Sequence, residues 1–233
     1  MFNRLKMMPA NKLFDFLLED EIISREAFTK FTLADISINV HDINIVGYVL
    51  QEWLKSYMKK KHIYFRVKKN TQEFPDFLLD VNNSDKVNLL EIKVFTKTPN
   101  FDAANFTAYA KSLREHAYRL DAKYLIFEYE RFGQNNNENR IIIKNIWLKN
   151  IWEICSSSER SKIKIQWKHG KPINIRPNIW YSKRAKFAPF NSRLEFVKAL
   201  WSTIRVSGID QSIQKDWFKI VSANYKKNCN KNL

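Results

Sequence analysis

Glycine is scarce: the chain of 233 residues has four, Gly47, Gly133, Gly170 and Gly208, and no two lie close together. Phosphate-cradling loops and the dinucleotide fingerprint both need clustered glycines to bring backbone amides against phosphate, so both are excluded. Cysteine is scarcer still. Cys155 and Cys229 are far apart and supply neither a zinc ligand set nor a disulfide framework. No apolar run approaches the roughly 20 residues that cross a bilayer. The opening Met1-Phe2-Asn3-Arg4-Leu5-Lys6 leads into acidic Glu19-Asp20-Glu21 rather than into a signal-peptide core and cleavage site. The expectation is a reduced, cytoplasmic, soluble protein.

Acidic residues are also in short supply, 24 against 40 Lys+Arg, for a formal net charge of +16 and a pI near 9.7. Lys, Ile and Asn are abundant together, as an AT-rich coding bias produces. That bias inflates lysine without explaining why acids fail to keep pace. The excess implies a polyanionic partner. Its cations are spread among aromatics through the folded segments and not gathered on one amphipathic helix, which favours nucleic acid over a membrane surface. With 45% hydrophobic residues the chain can build a sizeable core.

No repeat or low-complexity linker interrupts the chain, so one continuous domain is expected: N-terminal helices in 1–43, a catalytic core in 44–130, and a DNA-recognition and C-terminal helical extension in 131–233. Residues 10–31 read as one or two short helices, with Leu13, Phe14, Leu17 and Leu18 at helical spacing. A second helix spans about Asn44 to Lys59. The period then changes, predicting strands at His62–Val67, Asp76–Val81 and Val87–Phe95, with turns at Lys68–Gln72 and Asn82–Asp85. A helix at about Asp102–Leu120 and a strand at Lys123–Tyr129 follow. The expected fold is thus an α/β (α+β) mixed sheet in helix–strand–strand–strand–helix–strand order.

Further on, Gln134–Asn139 reads as a polar loop before the apolar Ile141-Ile142-Ile143, and Lys149–Ile154 as a short helix. Ile163–Lys168 and Ile173–Arg176 flank His169-Gly170-Lys171 as a hairpin. Ser192 and Glu195 form a capping-box pattern for a helix through Ile204. Gly208 precedes a last helix and a frayed tail at Lys226–Leu233.

Chemistry concentrates at Pro75-Asp76 and Glu91-Ile92-Lys93. A hairpin about the Asn82–Lys86 loop sets Asp76 opposite Ile92, one register step from Glu91 and Lys93, which share a face by strand alternation. A charged pair embedded in Leu-Leu-Glu-Ile-Lys-Val-Phe is costly to bury unless it has a task. Two carboxylates suit magnesium. A metal there offsets phosphate charge and lowers the pKa of a bound water, and Lys93 can stabilise charge developing on a scissile phosphate. The plainer reading is a cross-strand ion pair on a solvated face.

These residues and the element order resemble the PD-(D/E)xK nuclease superfamily. The resemblance implies Mg2+-dependent phosphodiester hydrolysis leaving 5′-phosphate and 3′-hydroxyl ends, with Asp76 and Glu91 as metal ligands and Lys93 as catalytic partner. It also implies an acid on the preceding helix, a place that Glu52 occupies. From Gly47 onward, Gln51-Glu52-Trp53-Leu54, Phe101–Phe106, Arg119–Phe127, Ile151–Ile154 and Asn174-Ile175-Arg176-Pro177 resemble the NgoBV/NlaIV group of type II restriction endonucleases. That implies a homodimer cutting double-stranded DNA at the palindrome GGNNCC, with a cognate DNA methyltransferase encoded nearby.

Lys97, Lys111, Arg114 and Arg119 fall where they could grip phosphates, although each could equally sit on a solvated helix face. Lys164, Gln166 and Lys168 alternate along one strand face, Arg176 follows across the hairpin, and Lys183, Arg184 and Lys186 form a basic loop. A two-stranded ribbon fits the major groove, where Arg or Lys reads guanine and Gln reads adenine. Residues 160–193 are therefore assigned to target recognition. Trp53, Trp152, Trp201 and Trp217 read as core, and His41, His62, His116 and His169 lack ligand spacing. Two other readings stay open: a structure-specific or repair nuclease on the same core, and a non-catalytic basic nucleic-acid-binding protein whose carboxylates are structural.

Overall fold

The computed structural model describes residues 10–40, 42, 45–70, 73–132 and 140–233. The expectations for Met1–Lys6, His41, the helix start at Asn44, Gly133, the Gln134–Asn139 loop and the last two positions of the Lys68–Gln72 turn lie outside the described residues. In chain order the elements are α1 (Ala10–Glu19), β1 (Glu26–Phe28), β2 (Lys30–Leu33), β3 (Ile36–Asn39), α2 (Ile45–Lys60), β4 (Phe77–Leu78), β5 (Leu89–Phe95), β6 (Ala104–Asn105) and α3 (Phe106–Leu113). A 3-10 helix at Ala117–Asp121 follows, then β7 (Lys123–Phe132), β8 (Arg140–Asn150), α4 (Ile151–Ile154), β9 (Ile165–Lys168), β10 (Lys171–Ile175), α5 (Arg193–Val206), α6 (Gln211–Gln214) and α7 (Trp217–Cys229). These elements divide between two compact units, one of Met1–Thr98 with Lys123–Leu148, the other of Pro99–Ala122 with Lys149–Leu233. The protein is thus a mixed α/β structure.

The first unit is built on a five-stranded sheet in the order β1-β8-β7-β5-β4. Strands β5 and β7 run parallel, from Leu90 beside Lys123 to Phe95 beside Glu128, while β4 is antiparallel to β5. Helix α2 buries Val46, Leu50, Leu54, Tyr57 and Met58, a three-to-four period, into one cluster with Leu13 and Leu17 of α1 and Leu90, Ile92, Leu125 and Phe127 of the sheet. Each such side chain fully removed from water contributes about 1.5–3 kcal/mol. Gly47 of α2 faces Val94, where a Cβ would lie 3.4 Å from Val94 Cγ2, at contact distance.

Several expectations are corrected here. Only the first half of 10–31 is helical; its second half holds β1 and the start of β2, which pairs with β3, where Ile36 and Ile38 alternate with Ser37 and Asn39. The strand expected at His62–Val67 shrinks to one bridge, Arg66 with Leu78, since His62 sits at φ 53° in a turn. The Asp76–Val81 strand contracts to β4, and the Val87–Phe95 strand starts at Leu89 because Asn88 has φ 54°.

In the second unit, β6, β10 and β9 form a three-stranded sheet in that order. The predicted hairpin is present. Lys168 pairs with Lys171 around His169 (φ 49°) and Gly170 (φ 72°), the positive-φ pair that a two-residue hairpin loop requires. The helix expected at Asp102–Leu120 is α3 plus the 3-10 helix: Asn105 caps α3 by accepting from Ala108 N, and His116 breaks the helical path at φ −123°. Ser192 caps α5 as expected, accepting from Glu195 N, while Glu195 reaches back to Asn191 N. The tail is ordered helix as far as Cys229 because Tyr225 is fully buried and its hydroxyl donates to Asp121. Trp217 is core, its Nε1 donating to Ala110 O at 2.7 Å, whereas Trp53, Trp152 and Trp201 are half-buried. Arg193 pairs with Asp121 and lies over the rings of Trp152 and Tyr225.

Candidate active site

The site is built where β4 runs into β5. Pairs Phe77–Leu90 and Leu78–Leu89 set the register, and their continuation puts Asp76 opposite Glu91 rather than Ile92. The one-residue difference arises in the connecting loop, which is not symmetric: Asn83 and Asn88 both take positive φ, and Leu79 N donates to Asn88 O across it. Asp76 nonetheless meets Ile92, through its backbone: Ile92 N donates to Asp76 Oδ2 at 2.7 Å. Glu91 and Lys93 share one face as alternation requires, with Lys93 Nζ 2.8 Å from Glu91 Oε1, while Leu90 and Ile92 are buried on the other.

This cluster is not a solvated ion pair. Burial, then the charge of Glu91, pushes the Asp76 carboxyl up to about 7, against the Ile92 hydrogen bond and the charges of Lys93 and Lys55. Glu91 Oε2 is buried and accepts no hydrogen bond. An unpartnered buried carboxylate oxygen beside a second carboxylate held off from ionising is a donor set suited to a divalent cation, which would relieve both strains.

Helix α2 serves the site through residues other than the one expected. Gln51 Nε2 donates to Asp76 Oδ1 at 3.0 Å, and Lys55, one turn further along the same face, is close enough to act on the Asp76 charge. Glu52 points about 100° away around the helix and pairs with Lys55 at 2.6 Å. Among the described residues no three His, Cys, Asp or Glu side chains gather as a metal cluster. The Gln51–Lys55 face was legible only as a helical i,i+4 pair, which carries no sign of what it faces.

The expected DNA-binding residues separate into two kinds. In the first unit Lys97 is exposed after β5 at φ 61°. In the second, Lys111, Lys168, Lys183 and Arg184 are exposed. Others are held internally. Arg114 donates to Ile213 O and Lys215 O, and Arg119 to Ser112 Oγ. Lys164 donates to Pro177 O, and burial holds its ammonium below the usual lysine range. Arg176 pairs with Asp102 at 2.9 Å and donates to Gln166 Oε1, occupying two of the hairpin side chains expected to read bases. Lys186 is exposed and pairs with Glu159 at the surface. Beside the β9–β10 hairpin a cavity of about 670 Å³ is lined by Arg160, Lys164, Trp167, Arg184 and Lys186 among others, a basic surface with an accessible indole.

Comparison with known proteins gives a consistent result. The family model described as NgoBV restriction endonuclease matches residues 7–233. The type II restriction enzyme NlaIV of Neisseria lactamica is 36% identical over 230 residues, covering 97% of this chain and 93% of that protein. The type II restriction enzyme NgoBV of Neisseria gonorrhoeae is 34% identical over 156 residues, covering 65% of this chain and 85% of that protein. A solved structure of NlaIV restriction endonuclease superposes with a TM-score of 0.88 at 34% identity, covering 97% of this chain and 92% of that one.

Proposed function

This chain belongs to the NgoBV restriction endonuclease family and is a type II restriction enzyme, a site-specific deoxyribonuclease; we propose that it hydrolyses double-stranded DNA at GGNNCC through a PD-(D/E)xK site made of Asp76, Glu91 and Lys93. The observation that carries this reading is the half-buried Asp76–Glu91–Lys93 cluster with the buried Glu91 Oε2 unpartnered.

Asp76 and Glu91 would hold Mg2+, which when bound supplies positive charge against the scissile phosphate. The chain's own residues set the stage for that chemistry. Gln51 and Ile92 N orient the two oxygens of Asp76, so its carboxylate plane is defined before a substrate arrives. Lys93 places a cation 2.8 Å from Glu91 Oε1, where it can neutralise negative charge building on a phosphate oxygen. Glu52 acts through Lys55, whose charge reaches Asp76. The products are 5′-phosphate and 3′-hydroxyl ends.

Lys97, Lys111, Lys168, Lys183 and Arg184 supply phosphate contacts and Lys168 with the basic hairpin supplies readout, while Arg176, Arg114 and Arg119 hold the recognition scaffold in shape. A palindrome presents the same edges twice about a two-fold axis, so the reading includes a C2 homodimer with one cluster per subunit. A cognate methyltransferase protects the host's own sites.

Digestion of unmethylated phage DNA with Mg2+ tests this. Discrete fragments whose ends all map to GGNNCC, absent when the chelator EDTA replaces the metal and absent from the Asp76→Ala protein, are expected. Random degradation, or fragments ending at another common sequence, would refute the site assignment.

A further inference from the structure

Helix α2 brings an ammonium as well as an amide to the two carboxylates. Gln51 and Lys55 are four residues apart, so they leave the helix on one face with Cβ atoms about 5–6 Å apart. Gln51 is anchored on Asp76 Oδ1 at 3.0 Å, which puts Lys55 one turn from the Asp76–Glu91 pair. There its charge acts on the Asp76 carboxylate. The ammonium itself is held by Glu52, 2.6 Å from Oε1.

An exposed ion pair within a helix contributes little. This one is unequally buried: the Lys55 side chain is 26% exposed and that of Glu52 44%. Water screens the acid more than the ammonium, so the site beside them meets a net positive charge. Lys93 already supplies Glu91 with a cation at 2.8 Å, while Glu91 Oε2 is buried without a hydrogen bond. The donor set therefore invites a dication, and Lys55 opposes its entry through space. A proton on Asp76 meets the same repulsion but carries half the charge of a dication. The sign of the effect is thus the same whether or not the metal displaces a proton.

We propose that Lys55 sets the divalent-metal affinity of the Asp76–Glu91 site, holding it low in the DNA-free chain, and that Glu52 is the counter-charge limiting this effect. The proposal rests on the metal-binding role given to Asp76 and Glu91 above. Lys55 acts on the metal across space and contacts Glu52, whereas Lys93 contacts Glu91 directly.

Titration of the DNA-free, full-length protein with Mn2+ at pH 8, followed by the electron paramagnetic resonance signal of the free ion, tests this without any cleavage. Lys55→Met keeps most of the aliphatic stem and should tighten binding by about tenfold, the scale of one unit charge acting on a dication about a helix turn away in a partly wet site. Glu52→Gln leaves the ammonium without its counter-charge and should weaken binding severalfold. Lys55→Arg, which keeps the charge, should bind as the wild type does. A merely structural ion pair would move the Lys55→Met and Glu52→Gln proteins in the same direction. That result, or Lys55→Met binding no tighter than wild type, overturns the proposal and leaves the metal site standing. A Glu91→Gln protein that binds Mn2+ as tightly as wild type overturns the metal site, and the role of Lys55 with it.

Discussion

Gln51 donates to Asp76 Oδ1 at 3.0 Å, while its neighbour Glu52 turns to Lys55. One helix therefore presents an amide, not an acid, to the central carboxylate of the site. The amide donates without adding negative charge, where a third carboxylate would push the Asp76 pKa higher still.

That relationship separates two substitutions. Gln51→Leu leaves Asp76 Oδ1 without its donor and should lower kcat by about 10–100-fold, the range for partners that orient a metal-binding carboxylate. Glu52→Gln, which loses only the contact with Lys55, should stay within severalfold of wild type. Steady-state cleavage of a short duplex measures both, and the opposite ranking would place Glu52 at the site.

Lys93→Met should lower turnover by about 10²–10³-fold, the loss expected when one group stabilising transition-state charge is removed. Duplex binding, followed in Ca2+ by a gel or anisotropy assay, should persist. Glu91→Gln keeps the shape of the side chain and should lose metal-dependent cleavage altogether. Retained turnover in either variant would remove that residue from the chemistry.

The Asp76 carboxyl, pushed up to about 7 in the folded chain from an ordinary 3.8, has a thermodynamic consequence. The folded state holds this proton more tightly than the unfolded chain does. Between about pH 4 and 7 the native state therefore binds more protons, and stability of the metal-free protein falls as pH rises through that window, by up to ~1.4 kcal/mol per pH unit from this group. Thermal unfolding in EDTA should show the decline and Asp76→Asn should flatten it. Mg2+ should restore more stability at pH 8 than at pH 5, since at pH 5 it must displace the proton.

Exposed and engaged cations should behave differently. Arg184→Ala should weaken binding to all duplexes and reduce the slope of log K against log salt by about 0.9. Arg176→Ala breaks contacts with Asp102 and Gln166 inside the second unit, so its main effect should be a lowered melting temperature. A salt slope unchanged in Arg184→Ala would show that this side chain meets no phosphate.

The chain's own local patterns were enough to reveal the Asp76–Glu91–Lys93 set, because strand alternation places Glu91 and Lys93 on one face whatever lies around them. The same is true of the His169-Gly170 hairpin and the Ser192 cap, which depend on two to four consecutive residues. Tertiary structure alone decided the rest. Glu26–Phe28 became a strand rather than part of a helix because β1 pairs with β8, more than a hundred positions away. Gln51 rather than Glu52 meets Asp76 because α2 buries Val46, Leu50 and Leu54 against the sheet, which sets its rotation. Arg114 and Arg176, indistinguishable from phosphate-binding cations by type and spacing, were committed to carbonyls and carboxylates that only folding brings near. Periodicity records which face a side chain occupies; the group that meets it there is set by long-range packing.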